Sequence, residues 1–273
     1  MTENTLRLDG VLAVIGGGRM GEAIVGGVIR AGVLPPERVI VAEPSVARCE
    51  ALAATFEVRC VPSGAEALPA DTVILAVKPQ VIDGVVKELA SGLTGALVVS
   101  IAVGVSSARL ESLLPARTAV VRVMPNTPAL VAEGMSVVSG GSEASAEQVE
   151  FARSLFAALG RAVVLDERYQ DAAAAISGSG PAYFAMVVDA LARGGVRHGL
   201  PRDVAQALAV QTMLGTARLL DETGMHPEAL IDGVTSPGGT TIAAVETLER
   251  HAMRAAFGEA VESAVRRAKE LGS

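Results

Sequence analysis

The chain has 273 residues, half of them hydrophobic, 19% charged and 3% aromatic, with a formal net charge of -7. That composition excludes intrinsic disorder, which needs few apolar residues and many charges. Two cysteines, Cys49 and Cys60, exclude a disulfide scaffold and fit a reducing compartment, and the acidic balance argues against a nucleic-acid groove.

In chain order, Met1–Gly10 carries two acids and one Arg and no apolar segment of the signal-peptide kind, so a cytoplasmic location is expected. Short Val/Ile-rich runs then follow at Val11–Ile15, Val39–Ala42, Thr72–Val77, Leu97–Ile101, Val120–Val123 and Ala162–Leu165, with weaker ones near Val58 and Val137. Continuously apolar runs of this length suit strands covered on both faces. Between them the pattern predicts helices at Met20–Ala31, Ser45–Phe56, Val81–Leu89, Ser107–Leu114 and Ala146–Leu159. The alternation predicts an α/β fold with a parallel sheet. Leu89–Ala108 has no charge and is long enough to span a membrane. Eight of its twenty residues are Gly, Ser or Thr, however, and its dense part has strand length, so it reads as a buried strand and no membrane partner is expected. After Asp166 the texture becomes Ala-rich helices broken by Gly and Pro, which sets the expected domains at 1–165 and 166–273.

Four motifs carry chemistry. Gly16-Gly17-Gly18-Arg19-Met20-Gly21 follows the first strand and opens a helix. Gly16 suits a tight turn, Gly18 a close approach to pyrophosphate and Gly21 close helix–strand packing, with the helix N-terminus facing the phosphates; a structural glycine turn is the plainer reading. Glu43 stands at the end of the next strand, 22 residues beyond Gly21. An acid there hydrogen-bonds the adenosine ribose and favours NAD over NADP, yet Arg19 and Arg48 are each candidates for a 2′-phosphate, so NADH and NADPH both stay open. Ala76-Val77-Lys78-Pro79, Ile101-Ala102-Val103 and Met124-Pro125-Asn126-Thr127-Pro128 lie at three further strand ends, where open α/β sheets bind ligands; each alone is also an ordinary turn. In the second half, Ser177–Ala182 and Thr235–Thr241 are Gly- and Ser/Thr-rich. Thr235–Thr241 leads into a helix whose free N–H groups suit a carboxylate, with helix capping as the alternative.

The absences are informative too. His198, His226 and His251 are scattered without metal-ligand spacing, so no metal is expected, and there is no GxSxG elbow. The helical half offers only Lys269 as a lysine base. That opposes a β-hydroxyacid dehydrogenase, and the second anion-binding run opposes a non-catalytic dinucleotide sensor.

These motifs, in this order from Val11 to about Leu271, resemble the pyrroline-5-carboxylate reductases, with Thr235–Thr241 as the most specific element. The resemblance implies a Rossmann-type domain followed by an all-α dimerisation domain. The activity it implies is NADPH- or NADH-dependent reduction of 1-pyrroline-5-carboxylate to L-proline, the last step of proline biosynthesis. It also implies a homodimer formed through the helical domains, with further assembly to a decamer. By that likeness Gly16–Gly21, Ser63, Ala76–Pro79 and Ile101–Val103 hold the cofactor, and Glu43 and Asn126 join them as candidates from their places at strand ends. Gly239, Thr240 and Thr241 bind substrate with Glu167, Gly180 and Pro181 nearby, and Thr241 orients the ring nitrogen as the catalytic group. Two departures stand out: Glu43-Pro44-Ser45 replaces a Ser/Arg-rich pattern seen in NADPH-preferring members, and Gly233 replaces an Asn.

Overall fold

Residues 10–272 are described by a computed structural model; the expectation for Met1–Gly10 falls, apart from Gly10, outside them. Eight strands form one sheet in the order β3-β2-β1-β4-β5-β6-β7-β8. They are β1 (Leu12–Ile15), β2 (Val39–Ala42), β3 (Arg59–Val61), β4 (Thr72–Leu75), β5 (Leu97–Ser100), β6 (Val120–Met124), β7 (Gly134–Gly140) and β8 (Gly160–Val164). The helices between them are α1 (Arg19–Arg30), α2 (Val46–Phe56), α3 (Pro79–Leu89), α4 (Ser107–Leu113) and α5 (Ala146–Ala157).

The burial of β1, β4, β5 and β6 over their full lengths explains why they are largely apolar, with Thr72, Ser100 and Arg122 the buried polar exceptions. Each fully buried Val, Leu or Ile stabilises the fold by about 1.5–3 kcal/mol over its exposed state. Two apolar layers result. One joins α1, α2 and α5 to the sheet through Ile24, Leu52 and Phe156; the other joins α3 and α4 through Ile82, Val86 and Leu110.

Six strand pairings are parallel, as the alternation predicts, but β7 runs antiparallel to β6. The reason lies in the connection. Thr127–Val131 is a single 3-10 turn rather than a crossover helix, too short to carry the chain back across the sheet. The uncharged stretch from Leu89 to Ala108 is divided among the end of α3, a 3-10 turn, β5, whose four residues are all buried, and the start of α4. The strand expected over Thr72–Val77 stops at Leu75, because Pro79 begins α3 and Ala76–Lys78 form the turn between them.

Cys49 on α2 and Cys60 on β3 are joined in a disulfide, their Cα atoms 5.6 Å apart. This corrects the expectation of two reduced thiols. The chain leaves β2, runs along α2 and returns beside β2 as β3, so two cysteines eleven residues apart meet.

After β8 every regular element among the described residues is helical. A 3-10 turn (Glu167–Tyr169) leads into α6 (Gln170–Ala173), a π-helical turn (Ala174–Gly178) and α7 (Gly180–Arg197). They are followed by α8 (Arg202–Thr223), α9 (Pro227–Gly233), α10 (Thr240–Arg250) and α11 (Met253–Gly272). Packing divides the chain into two units: the first runs to Ser179 and takes in the residues from Ala264 onward, and the second is Gly180–Ser263.

Candidate functional site

In the first unit the glycine loop sits at the carboxyl end of β1. Gly16 has φ +113°, outside the range of ordinary L residues, and a Cβ there would lie 2.5 Å from the Ala76 carbonyl oxygen. A Cβ on Gly21 would lie 2.0 Å from the Gly16 carbonyl oxygen, so only glycine lets α1 start so close to β1. At Gly18, in contrast, a Cβ would meet nothing within 4 Å, and no side chain caps α1. The first N–H groups of that helix are therefore open to a ligand, with the positive end of the helix dipole behind them. These residues fit a dinucleotide: a turn only Gly can make, an open approach at Gly18 and uncapped donors.

Glu43 stands beside this loop. Its carboxylate accepts hydrogen bonds from Gly17 N–H at 2.9 Å and Ser45 N–H at 3.0 Å. Arg48 donates from Nε to the Gly17 carbonyl at 2.7 Å and pairs with Glu22 at 2.5 Å. Arg19 is exposed at the first position of α1, and Met20 packs on the core.

A cleft of about 350 Å³ opens over the same strand ends and is lined by Gly16, Ala42, Ser63, Val77 and Val81 among others. Thus Gly16, Ser63 and Val77, which are far apart in sequence, meet in one place. Ala76 is fixed by its N–H donating to the Ile15 carbonyl, and Ile101 by its N–H donating to the Leu75 carbonyl. Ala102 is buried and Val103 exposed beyond the end of β5, while Lys78 stands at the N-cap of α3.

Two expected site residues are occupied within the chain. Asn126 donates from Nδ2 to the Ser177 carbonyl at 2.9 Å and accepts from Met135 N–H at 2.8 Å. Glu167 accepts from Ser107 N–H at 2.9 Å, from Ser107 Oγ and from Arg122 Nη1 at 3.1 Å. Arg122 also lies 3.6 Å from Asp171. Beside it Gln170, fully buried, donates to the Val137 carbonyl and to Ser139 Oγ. The polar core formed by Arg122, Glu167 and Gln170 escapes motif reasoning; its one sequence signal is a lone Arg inside the apolar strand Val120–Met124.

In the second unit, Thr235–Gly239 wraps into the start of α10. Gly238 has φ +65°, Gly239 occupies the N-cap position and no side chain caps the helix. Gly239 N–H donates to the Ser236 carbonyl, and a Cβ at Gly239 would collide with Ser236 Oγ. Thr240 and Thr241 open the helix, exposed and half-buried respectively. The N-terminus of an eleven-residue helix, uncapped and carrying two hydroxyls, can accept a carboxylate. Gly180 and Pro181 begin α7, where Gly180 is buried. No cluster of three His, Cys, Asp or Glu with metal-binding arrangement exists among the described residues.

Comparison with known proteins matches residues 167–271 to the family model described as pyrroline-5-carboxylate reductase dimerisation, and residues 11–104 to that of NADP oxidoreductase coenzyme F420-dependent. The pyrroline-5-carboxylate reductase of Synechocystis sp. is 47% identical over 262 residues, covering 96% of this chain and 98% of its own. That of Arabidopsis thaliana is 44% identical, covering 94% of each. Among solved structures, a pyrroline-5-carboxylate reductase from Coxiella burnetii superposes with a TM-score of 0.91 at 37% identity, covering 97% of this chain and all of that one. The Plasmodium falciparum pyrroline carboxylate reductase, solved with NADP bound, gives a TM-score of 0.90 at 28% identity, covering 98% of this chain and all of its own.

Proposed function

The chain belongs to the pyrroline-5-carboxylate reductase family, and from that premise we propose how its residues divide the reaction. It is an NAD(P)H-dependent oxidoreductase that reduces the cyclic C=N bond of 1-pyrroline-5-carboxylate to give L-proline, the last step of proline biosynthesis. When bound, the reduced nicotinamide supplies the hydride that the imine carbon accepts. Gly16–Gly21, with the open N–H groups of α1, hold the pyrophosphate. Ser63, Ala76–Pro79 and Ile101–Val103 line the path of the nucleotide at the strand ends.

Gly239, Thr240 and Thr241 bind the substrate carboxylate and ring nitrogen. Thr241 Oγ1 hydrogen-bonds the ring nitrogen and fixes which face of the imine is presented. If the nitrogen arrives protonated, hydride addition completes the amine and no strong protein base is required, which accords with the scarcity of lysine. Glu167 and Asn126 serve as positioning residues, since their polar atoms are engaged by Ser107, Arg122, Ser177 and Met135. Gly180 and Pro181 shape the start of α7 on the substrate side.

The observation that carries this reading is the uncapped start of α10 behind Gly238 and Gly239, in a chain that also has an open dinucleotide loop. Purified protein should consume NADH or NADPH only when 1-pyrroline-5-carboxylate is added, and should release L-proline. Nucleotide oxidation without the imine, or none with it, would overturn the reading.

We propose functional domains at 1–165 and 166–273, on the strength of a dimerisation match that begins at residue 167; the packing units divide differently, the first reaching Ser179 and including the residues from Ala264 onward. The helical part carries the family's dimerisation region, and the enzyme oligomerises through it. We propose a homodimer that assembles further to a decamer. Phe184, Met186, Leu191 and Leu208 are all more than half exposed in a single chain, and such apolar surface calls for a partner. The run Glu167–Arg197 is long and apolar enough to cross a membrane, yet it lies within the dimerisation match, so we read its apolar side chains as subunit surface. A monomer at micromolar concentration in sedimentation would contradict this. The cytoplasm, where nicotinamide nucleotides are pooled, is the proposed location, and the net charge of -7 disfavours nucleic acid as a partner.

A further inference from the structure

The surroundings of Glu43 bear on which nucleotide the enzyme takes. Both carboxylate oxygens of Glu43 are oriented by backbone N–H groups, those of Gly17 and Ser45, so the charge is fixed beside the glycine loop rather than swinging in solvent. Each oxygen keeps a lone pair for a ribose hydroxyl. Arg48, the cation bonded to this loop from α2, is withheld: its Nε is committed to the Gly17 carbonyl and its Nη2 to Glu22. A neighbouring cleft of about 300 Å³ is lined by Glu43, Pro44, Val46 and Glu50 among others, with no Lys or Arg in the lining. The larger cleft over β1 and β4 adds Glu88 and likewise no cation. Clefts lined by carboxylates and by no cation are the wrong surroundings for a phosphate dianion and the right ones for a free diol.

We propose that this chain selects the nucleotide lacking the 2′-phosphate: Glu43 accepts the adenosine ribose hydroxyls and repels a 2′-phosphate, while Glu22 holds Arg48 away from one. The proposal rests on the reading of Gly16–Gly21 as the dinucleotide site. Arg19, exposed at the start of α1, is the one cation in the fingerprint that opposes it.

The test is a fluorescence titration of the intact enzyme with NADH and with NADPH, without substrate, at low and high salt. Steady-state kcat/KM for both nucleotides with 1-pyrroline-5-carboxylate accompanies it. NADH should bind about tenfold or more tighter than NADPH, and the gap should narrow as salt screens the repulsion. Glu43→Ser should bring the two affinities within about threefold, by weakening NADH and strengthening NADPH. Glu22→Gln, which removes the ion pair on Arg48 Nη2 and leaves Glu43 in place, should strengthen NADPH alone. Tighter NADPH binding by the wild type would overturn the proposal while leaving the reductase assignment intact, as would a salt-independent ratio. Binding of neither nucleotide would overturn the dinucleotide reading and the preference together.

Discussion

The Glu167 carboxylate spans two structural tasks at once, accepting the Ser107 N–H at the start of α4 and pairing with Arg122 inside β6. Arg122 is a charge in a strand buried on both faces, its side chain only 8% exposed, and Glu167 and Asp171 supply its compensation. Burying a guanidinium is tolerable only while such partners remain.

Removing the charge by Glu167→Gln should therefore destabilise the protein by about 1–3 kcal/mol, since Asp171 is then the carboxylate left to Arg122 among the described residues. Urea unfolding measures this, and KM for the imine should change little beside it. Unchanged stability with a large rise in KM would assign Glu167 to direct substrate contact instead.

The glycine loop separates a structural role from a binding role. Gly21→Ala forces a methyl group to within 2.0 Å of the Gly16 carbonyl and should cost about 1–3 kcal/mol of stability along with nucleotide affinity. Gly18→Ala meets no protein atom within 4 Å, so it should fold with a Tm near wild type and lose affinity for the nucleotide alone. Thermal melts and nucleotide titration of the two variants distinguish these outcomes. Equal nucleotide affinity in Gly18→Ala and wild type would remove Gly18 from the cofactor site.

The helical unit should respond to acid through Asp189 on α7. Arg202, and after it Arg193, hold its carboxyl below the ordinary value of 3.8 by hydrogen bonds at 2.5 and 2.6 Å. A carboxyl whose pKa falls on folding contributes stability above its unfolded pKa and loses it as pH drops through the folded one. The gap in urea midpoint between wild type and Asp189→Asn should thus be constant from about pH 7 down to about pH 5, then close below pH 3.8. The same direction holds for Glu228, lowered by Arg254 from 4.5. A gap that widens in acid would contradict the assignment.

Much of this architecture is legible in the residues. Leu12–Ile15, Val73–Leu75 and Leu97–Val99 are apolar throughout because both faces of these strands are covered, and Gly16 and Gly21 are glycines because no other residue fits their backbones. What escapes the pattern is set by tertiary return. The antiparallel entry of β7 depends on a turn too short for a crossover, and the Cys49–Cys60 bridge on α2 folding back along β2. The polar core around Arg122 joins residues 45 or more positions apart, and the hydrogen bonds of the Asn126 amide to Ser177 and Met135 likewise depend on chain return that no motif announces. The Arg48–Glu22 pair across α2 and α1 is equally invisible in the sequence, since the two residues stand 26 positions apart.

The central claim is that Thr241, at the open start of α10, orients the imine of 1-pyrroline-5-carboxylate for reduction. The most direct measurement is kcat and KM of Thr241→Ala and Thr241→Ser against the wild type, alongside the nucleotide Kd. Loss of a hydrogen bond made to the reacting nitrogen should lower kcat/KM by about tenfold to a hundredfold in Thr241→Ala. Thr241→Ser should restore most of it, with Kd unchanged throughout. Wild-type turnover in Thr241→Ala would contradict the account.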